Sequence, residues 1–451
     1  MNDCAAALDF GSDKIALAIG ERTSSEIKIV SYHDSPSSGI ESGEINNDNK
    51  VVEIVSSLIE QAEADISEKL TEITVGLSGR MLHSRNVSCN LKRMNPGLPI
   101  DQEEVRQIIR SQYQSSENGE IVLEVSPQSY STEDRIGITE DELLGMEGAR
   151  IEADFLLLTG RKSILDRRLA VLDKFGLHIK KAILTPIASA RAVLSRSEME
   201  NGVALVDIGK GTTEVALIKD NMLRYAAIIP FGGESITGDI KTETGITRQW
   251  AEILKVEHGR CCEEYAIENR KLILKDENNV VEGEVEMTLL ARIIEARMSE
   301  ILDAVRYIIE QSGYAAKIPA GVVITGGTSH MENIIQLAGA ILGKRIRLAA
   351  PQGSITNDSV DAAFDVYAST AVGLVLETLE PLLSHALERE VEIQSSQEKK
   401  EDNQQKPDIS PKPATGKKPR RGLFRGQKTS QDDGQPDLFS QIFGFSNNDT
   451  A

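Results

Sequence analysis

VALVDIGKGTTEVALIKDNML, residues 203–223, places two apolar β-type runs around one glycine-bearing tip. The first run ends at Asp207. A D-x-G-x-G-T-T turn follows, carrying Gly209, Gly211, Thr212 and Thr213, then a second strand over 214–218 and a polar turn at 219–221. Glycine at such a tip frees the backbone to turn several N–H groups toward one point, which is how a phosphate is cradled without a dedicated cation. A carboxylate at the strand end can then hold the magnesium that travels with phosphates, usually through water. Taken alone, a glycine turn between two strands is more simply only a turn.

A second copy changes the reading. AAALDFGSDKIALAIGE, residues 5–21, repeats the design with Asp9 at the strand end, Gly11 and Ser12 in the tip, Lys14 after it, and a strand over 15–19. Two such hairpins in one chain predict a duplicated α/β domain that grips a nucleotide's phosphates from both sides.

Between them the pattern predicts a strand over 26–32, a polar turn over 35–43, an amphipathic helix over 50–65 and a strand over 73–77. Residues 80–159 then read as a small α+β module: a polar strand, a helix opening at Asp101 with Glu103 and Glu104 in its first turn, and two further strands. A helix near 163–174 stopped by Gly176 and a strand ending at Leu184 lead to TPIASARAVL, residues 185–194, a proline-started helix with small residues for close packing.

After the second hairpin, Gly232 and Gly233 precede a helix whose start would favour an anion. Residues 247–259 read as a helix capped by Thr247 and stopped by Gly259. It places Glu252 and Lys255 on one face, a spacing that by itself describes a solvated ion pair. A long apolar-faced helix over 288–311 precedes GVVITGG, residues 321–327, where a β-branched strand enters Gly326 and Gly327, followed by Thr328, Ser329 and a helix through residue 341. ASTAVGLVL, residues 368–376, reads as a closely packed helix around Gly373.

The chain has 451 residues, 40% of them hydrophobic, enough for two large domains. No run of about eighteen apolar residues exists to span a bilayer. The start has no basic region before its apolar stretch, so no signal peptide is expected. Cys4, Cys89, Cys261 and Cys262 lack metal-site spacing and read as ordinary thiols of a reducing cytoplasm. A formal charge of −20 argues against nucleic acid as a partner.

The paired hairpins resemble the two phosphate loops of the actin, heat-shock chaperone and sugar-kinase superfamily. Over roughly residues 3–380 the motif order and the inserted module are most similar to the FtsA family of bacterial cell-division proteins. The resemblance implies an actin-like (ribonuclease H-like) two-domain nucleotide-binding fold with an inserted α+β module, subdomain 1C, and a disordered C-terminal tail. Domain 1 would be 1–79 and 160–200 with 368–387, the insert 80–159, and domain 2 201–367. ATP and Mg2+ would lie between, with Asp9 and Asp207 flanking the metal. Gly11, Ser12, Lys14, Gly209, Gly211, Thr212 and Thr213 would hold phosphates; Glu252, Lys255, Gly326, Gly327 and Thr328 would hold the nucleoside. Residues 185–194 and 368–376 would be the two connecting helices of the interdomain hinge.

The resemblance further implies polymers that tether FtsZ by its C-terminal peptide at the inner face of the cytoplasmic membrane, at the division septum. The insert would contact neighbouring protomers and downstream division proteins. A PilM-like adaptor of type IV pilus assembly shares the core and the insert and is the alternative reading; a chaperone would need a substrate domain after the core, and a sugar kinase a general-base aspartate in the cleft. Two tip positions depart from the family, Lys210 for glycine and Glu214 for aspartate. Thr185 stands before Pro186, where actin-like ATPases place a water-orienting glutamate, so hydrolysis is expected to be slow or negligible.

Residues 388–436 read as a disordered linker. Seven bases (Lys412, Lys417, Lys418, Arg420, Arg421, Arg425, Lys428) stand between Asp408 and Asp432 with no acid among them. Residues 437–451 carry the apolar cluster DLFSQIFGF. Base and apolar cluster together suit an anionic membrane surface, and the cluster alone equally suits a short motif for a protein partner.

Overall fold

The computed structural model describes residues 4–386, apart from 24, 25, 81, 116–119, 267–269 and 352. The basic segment and the apolar C-terminal cluster lie outside the described residues.

Each glycine-tipped hairpin opens a five-stranded sheet, and the two sheets share one strand order. In the first lobe the order is His178–Leu184, Glu72–Leu77, Cys4–Phe10, Lys14–Arg22, Ile27–Pro36. In the second it is Ile346–Leu348, Val322–Thr325, Val203–Ile208, Thr213–Lys219, Met222–Ile229 when read from the parallel edge. Three consecutive antiparallel strands meet two parallel ones in both. Parallel neighbours need helical crossovers, and helices then cover both faces, which is why the central strands are apolar at nearly every position. Residues 203–206 are entirely buried.

The crossover helices end where their local chemistry requires. Asn47 caps Asp48–Ile66 by accepting from the Lys50 N–H, Thr247 caps Arg248–His258 by accepting from the Trp250 N–H, and Gly176 takes the left-handed turn, φ 68°, that ends the segment after Ser163–Leu172. One expectation fails. The helix expected from just after Ser329 through residue 341 starts later: a 3-10 turn, Gly327–His330, comes first, and the helix itself is Ile334–Leu342. Asn333 at φ 66° breaks the two apart. A short helix, Glu140–Leu143, was not read from the sequence, although its Thr139–Glu142 capping box is a sequence signal.

The two sheets meet across the helices Thr185–Val193 and Ser369–Leu379. Pro186 sits in the first turn of the former, where its missing N–H is harmless. At their crossing a Cβ on Gly373 would stand 1.8 Å from the Ala188 carbonyl oxygen. The backbones touch there, as the small residues of both segments require.

The insert is a three-stranded antiparallel sheet with Arg150–Arg161 in the middle, flanked by His83–Lys92 and Glu120–Ser131. Helix Gln102–Tyr113 presents Val105, Ile108 and Ile109 to a separate apolar core around Phe155 and Tyr130, whose rings meet edge to face. Its other face joins the main core through Leu123, Leu156 and Leu158. Polar contacts tie it to the second lobe: Ser126 Oγ and Gln128 Nε2 donate to the Leu223 carbonyl at 3.0 and 2.8 Å.

Two buried carboxylates secure the last described residues. Glu377, on the second connecting helix, accepts the N–H groups of Leu382, Leu383 and Ser384, each at 3.1 Å. Glu124, in the insert, accepts from Ser384 Oγ and the His385 N–H, both at 2.7 Å. Burial pushes the Glu124 carboxyl up to about 8, against hydrogen bonds that favour the anion. Because the folded value lies above the ordinary 4.5, Glu124's contribution to stability is full below that value and is lost as pH rises through the folded one. Unfolding free energy should therefore fall between about pH 5 and about pH 8.5, and more shallowly in Glu124→Gln. Equal slopes in urea titrations of the two proteins would refute this assignment.

Candidate functional site

The loops of both hairpins open onto one cleft of about 340 Å³, a size suited to a small organic ligand. Asp9, Gly11, Ser12, Lys14, Asp207, Gly209, Gly211, Thr212, Glu252, Lys255, Gly326, Gly327 and Thr328 all line it. Thr213 does not. Its side chain is fully buried and its hydroxyl donates to the Phe231 carbonyl at 2.9 Å. Strand geometry explains this: Thr213 is the cross-strand partner of Ile208, and side chains alternate between faces.

The same register pairs Asp207 with Glu214, so two carboxylates stand directly opposite one another, whereas Asp9 in the first hairpin is paired with Ala16. Like charges so placed repel. Burial, then Asp207, pushes the Asp9 carboxyl up to about 7, with Lys14 and Arg168 opposing. Burial raises Asp207 as well, although Ser189 Oγ donates to it at 2.7 Å. Burial and Asp207 push Glu214 up to about 8. Glu214 Oε1 accepts from Ser78 Oγ (2.6 Å) and Thr185 Oγ1 (2.8 Å), while its buried Oε2 has no partner. This concentration of uncompensated negative charge suits a cation. Among the described residues no three His, Cys, Asp or Glu converge as a cage for a bare ion. A hydrated divalent cation that draws its remaining ligands from a bound anion would fit carboxylates so placed.

The helix Arg248–His258 supplies a further part of the lining. Lys255 Nζ, buried, donates to the Gly233 carbonyl (3.1 Å), Thr237 Oγ1 (2.9 Å) and Glu252 Oε2 (2.8 Å). The pair is thus buried at Lys255 and partly open to water at Glu252, whose side chain is 37% exposed. Burial lowers the Lys255 ammonium despite Glu252; for Glu252, burial is outweighed by Lys255 and Thr237, which hold the carboxyl below its ordinary value. Thr328 Oγ1 donates to the Gly209 carbonyl at 3.0 Å, linking the turn after Gly326 and Gly327 to the tip of the second hairpin. His330 stacks on Tyr367, ring centroids 5.1 Å apart, and both line the cleft. Neither ring was marked by a motif; Tyr367 stands just before the second connecting helix.

Two expectations are modified. The first N–H groups of the helix Gly233–Thr244 are already taken, Gly233 donating to the Gly209 carbonyl (2.9 Å) and Glu234 to that of Lys210 (2.8 Å). That helix start supports the loop instead of presenting those N–H groups to an anion. Lys14 lines the cleft, but its ammonium is engaged by Asp34 and the Tyr32 hydroxyl on the neighbouring strand. Lys210 bridges the two loops, its Nζ 3.2 Å from Asp13 Oδ1.

A family model described as "Cell division protein FtsA" matches residues 204–373. The cell division protein FtsA of Pseudomonas aeruginosa is 30% identical over 378 residues, spanning 83% of this chain and 88% of that protein. The chain belongs to the FtsA family. FtsA of Bacillus subtilis is likewise 30% identical, over 355 residues, 78% of this chain and 79% of that one. A solved structure of a PilM–PilN type IV pilus biogenesis complex superposes with a TM-score of 0.61 at 14% identity, covering 84% of this chain and 99% of that one. That likeness is one of fold. The protein is thus a cell-division protein of actin-like architecture. Among the described residues no helix is long and apolar enough to cross a membrane.

Proposed function

We propose that the protein binds ATP with Mg2+ between its two lobes and, in that state, polymerises at the inner face of the cytoplasmic membrane, tethers FtsZ by its C-terminal peptide and recruits later division proteins through the insert. The observation that carries the reading is the convergence of Asp9 and Asp207, from two hairpins of identical topology, on one cleft. Membership of the FtsA family supports the division role. Magnesium would be held near Asp9 and Asp207 and would offset the charge of the phosphates. Gly11, Ser12, Gly209, Gly211 and Thr212 would cradle those phosphates, with Lys14 and Lys210 adding positive charge. Glu252, Lys255, Gly326, Gly327 and Thr328 would hold the nucleoside.

ATP acts here as a structural ligand. Thr185 offers a hydroxyl, already committed to Glu214, where a water-orienting carboxylate would stand. Phosphate release should therefore stay at background over hours. Sustained turnover that disappears in Asp207→Ala would show the protein to be a genuine ATPase instead. The division role is tested by retention of the full chain, with Mg-ATP, on the C-terminal peptide of FtsZ from the same cell. Failure to bind that peptide would remove the tethering role.

A further inference from the structure

We propose that Arg168, on the helix Ser163–Leu172, is a positioning residue whose buried guanidinium sets the first phosphate loop and the turn at Ser42 and Gly43 for a polyphosphate. This inference rests on the nucleotide reading above. Arg168 is only 1% exposed and is among the largest fully buried side chains of the protein. Its Nη1 donates to the Ile164 carbonyl at 2.6 Å and its Nη2 to the Gly43 carbonyl at 3.1 Å, while its buried Nε has no acceptor. The guanidinium lies over the ring of Phe10, the residue between Asp9 and Gly11, 5.3 Å from its centre.

A buried cation that meets carbonyls and a ring lowers stability relative to an apolar side chain of its size. Packing alone therefore gives no reason for arginine here. Its surroundings do. The Gly43 carbonyl it holds belongs to a tight turn in the left-handed region, φ 46° at Ser42 and 77° at Gly43. A non-glycine residue in that region needs outside support. Arg168 supplies part of it, and Arg80 Nη2, donating to Ser42 Oγ at 2.8 Å, supplies more.

The turn so fixed touches both phosphate loops. The Gly43 N–H donates to Ser12 Oγ at 3.0 Å. On the other side, a Cβ on Gly211 would stand 2.9 Å from Ser42 Cα. One buried side chain thereby aligns the tip of the first loop, the tip of the second and the turn between them. Its charge also favours anionic ligand above the loop and acts through space on Asp9 and Glu44.

The test uses the full chain with Arg168→Met and Arg168→Lys, thermal unfolding without nucleotide, and calorimetric titration with Mg-ATP and with adenosine. Arg168→Met should melt at or above the wild-type temperature yet bind Mg-ATP about tenfold more weakly, the scale of one unscreened charge acting across a protein interior. Adenosine affinity should change less than about twofold, because the contacts at Glu252 and Lys255 remain. Arg168→Lys, which keeps the charge and one donor, should recover part of the loss. Wild-type affinity for Mg-ATP in Arg168→Met overturns the proposal. So does an equal loss of Mg-ATP and adenosine binding with a lowered melting temperature, which would make the residue merely structural; should Arg168→Met not fold, an equal loss of Mg-ATP and adenosine binding in Arg168→Lys does the same. If the wild-type protein binds neither ligand, the nucleotide reading itself fails, and the proposal with it.

Discussion

Gly373→Ala is expected to destabilise the protein by about 3 kcal/mol, among the largest effects available from adding a single methyl group. Helix propensity points the other way, since alanine in a helix interior is favoured over glycine by about 1 kcal/mol. The clash decides the sign. A Cβ at 373 would lie 1.8 Å from the Ala188 carbonyl oxygen and 2.3 Å from its carbon, and both are backbone atoms that cannot rotate away. Relief requires the helices Thr185–Val193 and Ser369–Leu379 to separate, and Ser189, which donates to Asp207 and sits 3.0 Å from the Thr370 hydroxyl, would move with them. Urea unfolding gives the measurement; a Gly373→Ala protein as stable as wild type would mean that the crossing is looser than described.

Asp207→Asn should separate stability from ligand binding. The substitution removes one charge from a buried group of three carboxylates while keeping an oxygen for Ser189 Oγ, so the ligand-free protein should melt at or above the wild-type temperature. Mg-ATP should then give no stabilisation. A ligand at about one hundred times its dissociation constant stabilises the wild-type fold by about 2.7 kcal/mol, and that increment should vanish. A full thermal shift retained in Asp207→Asn would remove this carboxylate from the metal site.

The hairpins were legible because everything that makes them is local: an apolar run, an acid, a glycine tip and a second run. Their period-two alternation also carried information left unused, since it sets Thr213 on the face opposite Asp207 and Glu214. The helix after the second glycine pair was misjudged because a single asparagine at positive φ interrupts an otherwise helical composition. Arg168 was only half legible. In its helix, SILDRRLAVL, it stands three and four residues from Leu165 and Ile164 and from Val171 and Leu172, on the apolar stripe, whereas Arg167 lies off that stripe and pairs with Asp48; its partners, the Gly43 carbonyl and the Phe10 ring, come from distant segments that only the tertiary fold brings together. The engagement of Lys14 by Asp34 likewise depends on the pairing of Lys14–Arg22 with Ile27–Pro36 across the sheet.

The hold of Glu377 and Glu124 on residues 382–385 bears on how the protein can be shortened. Four backbone N–H groups and one hydroxyl from that short stretch fill the lone pairs of two acids with almost no access to water. A truncation placed before Leu382 would remove these donors from both acids at once and cut the tie between the insert and the helix Ser369–Leu379. A stop codon after Ala386 would leave every one of those bonds in place.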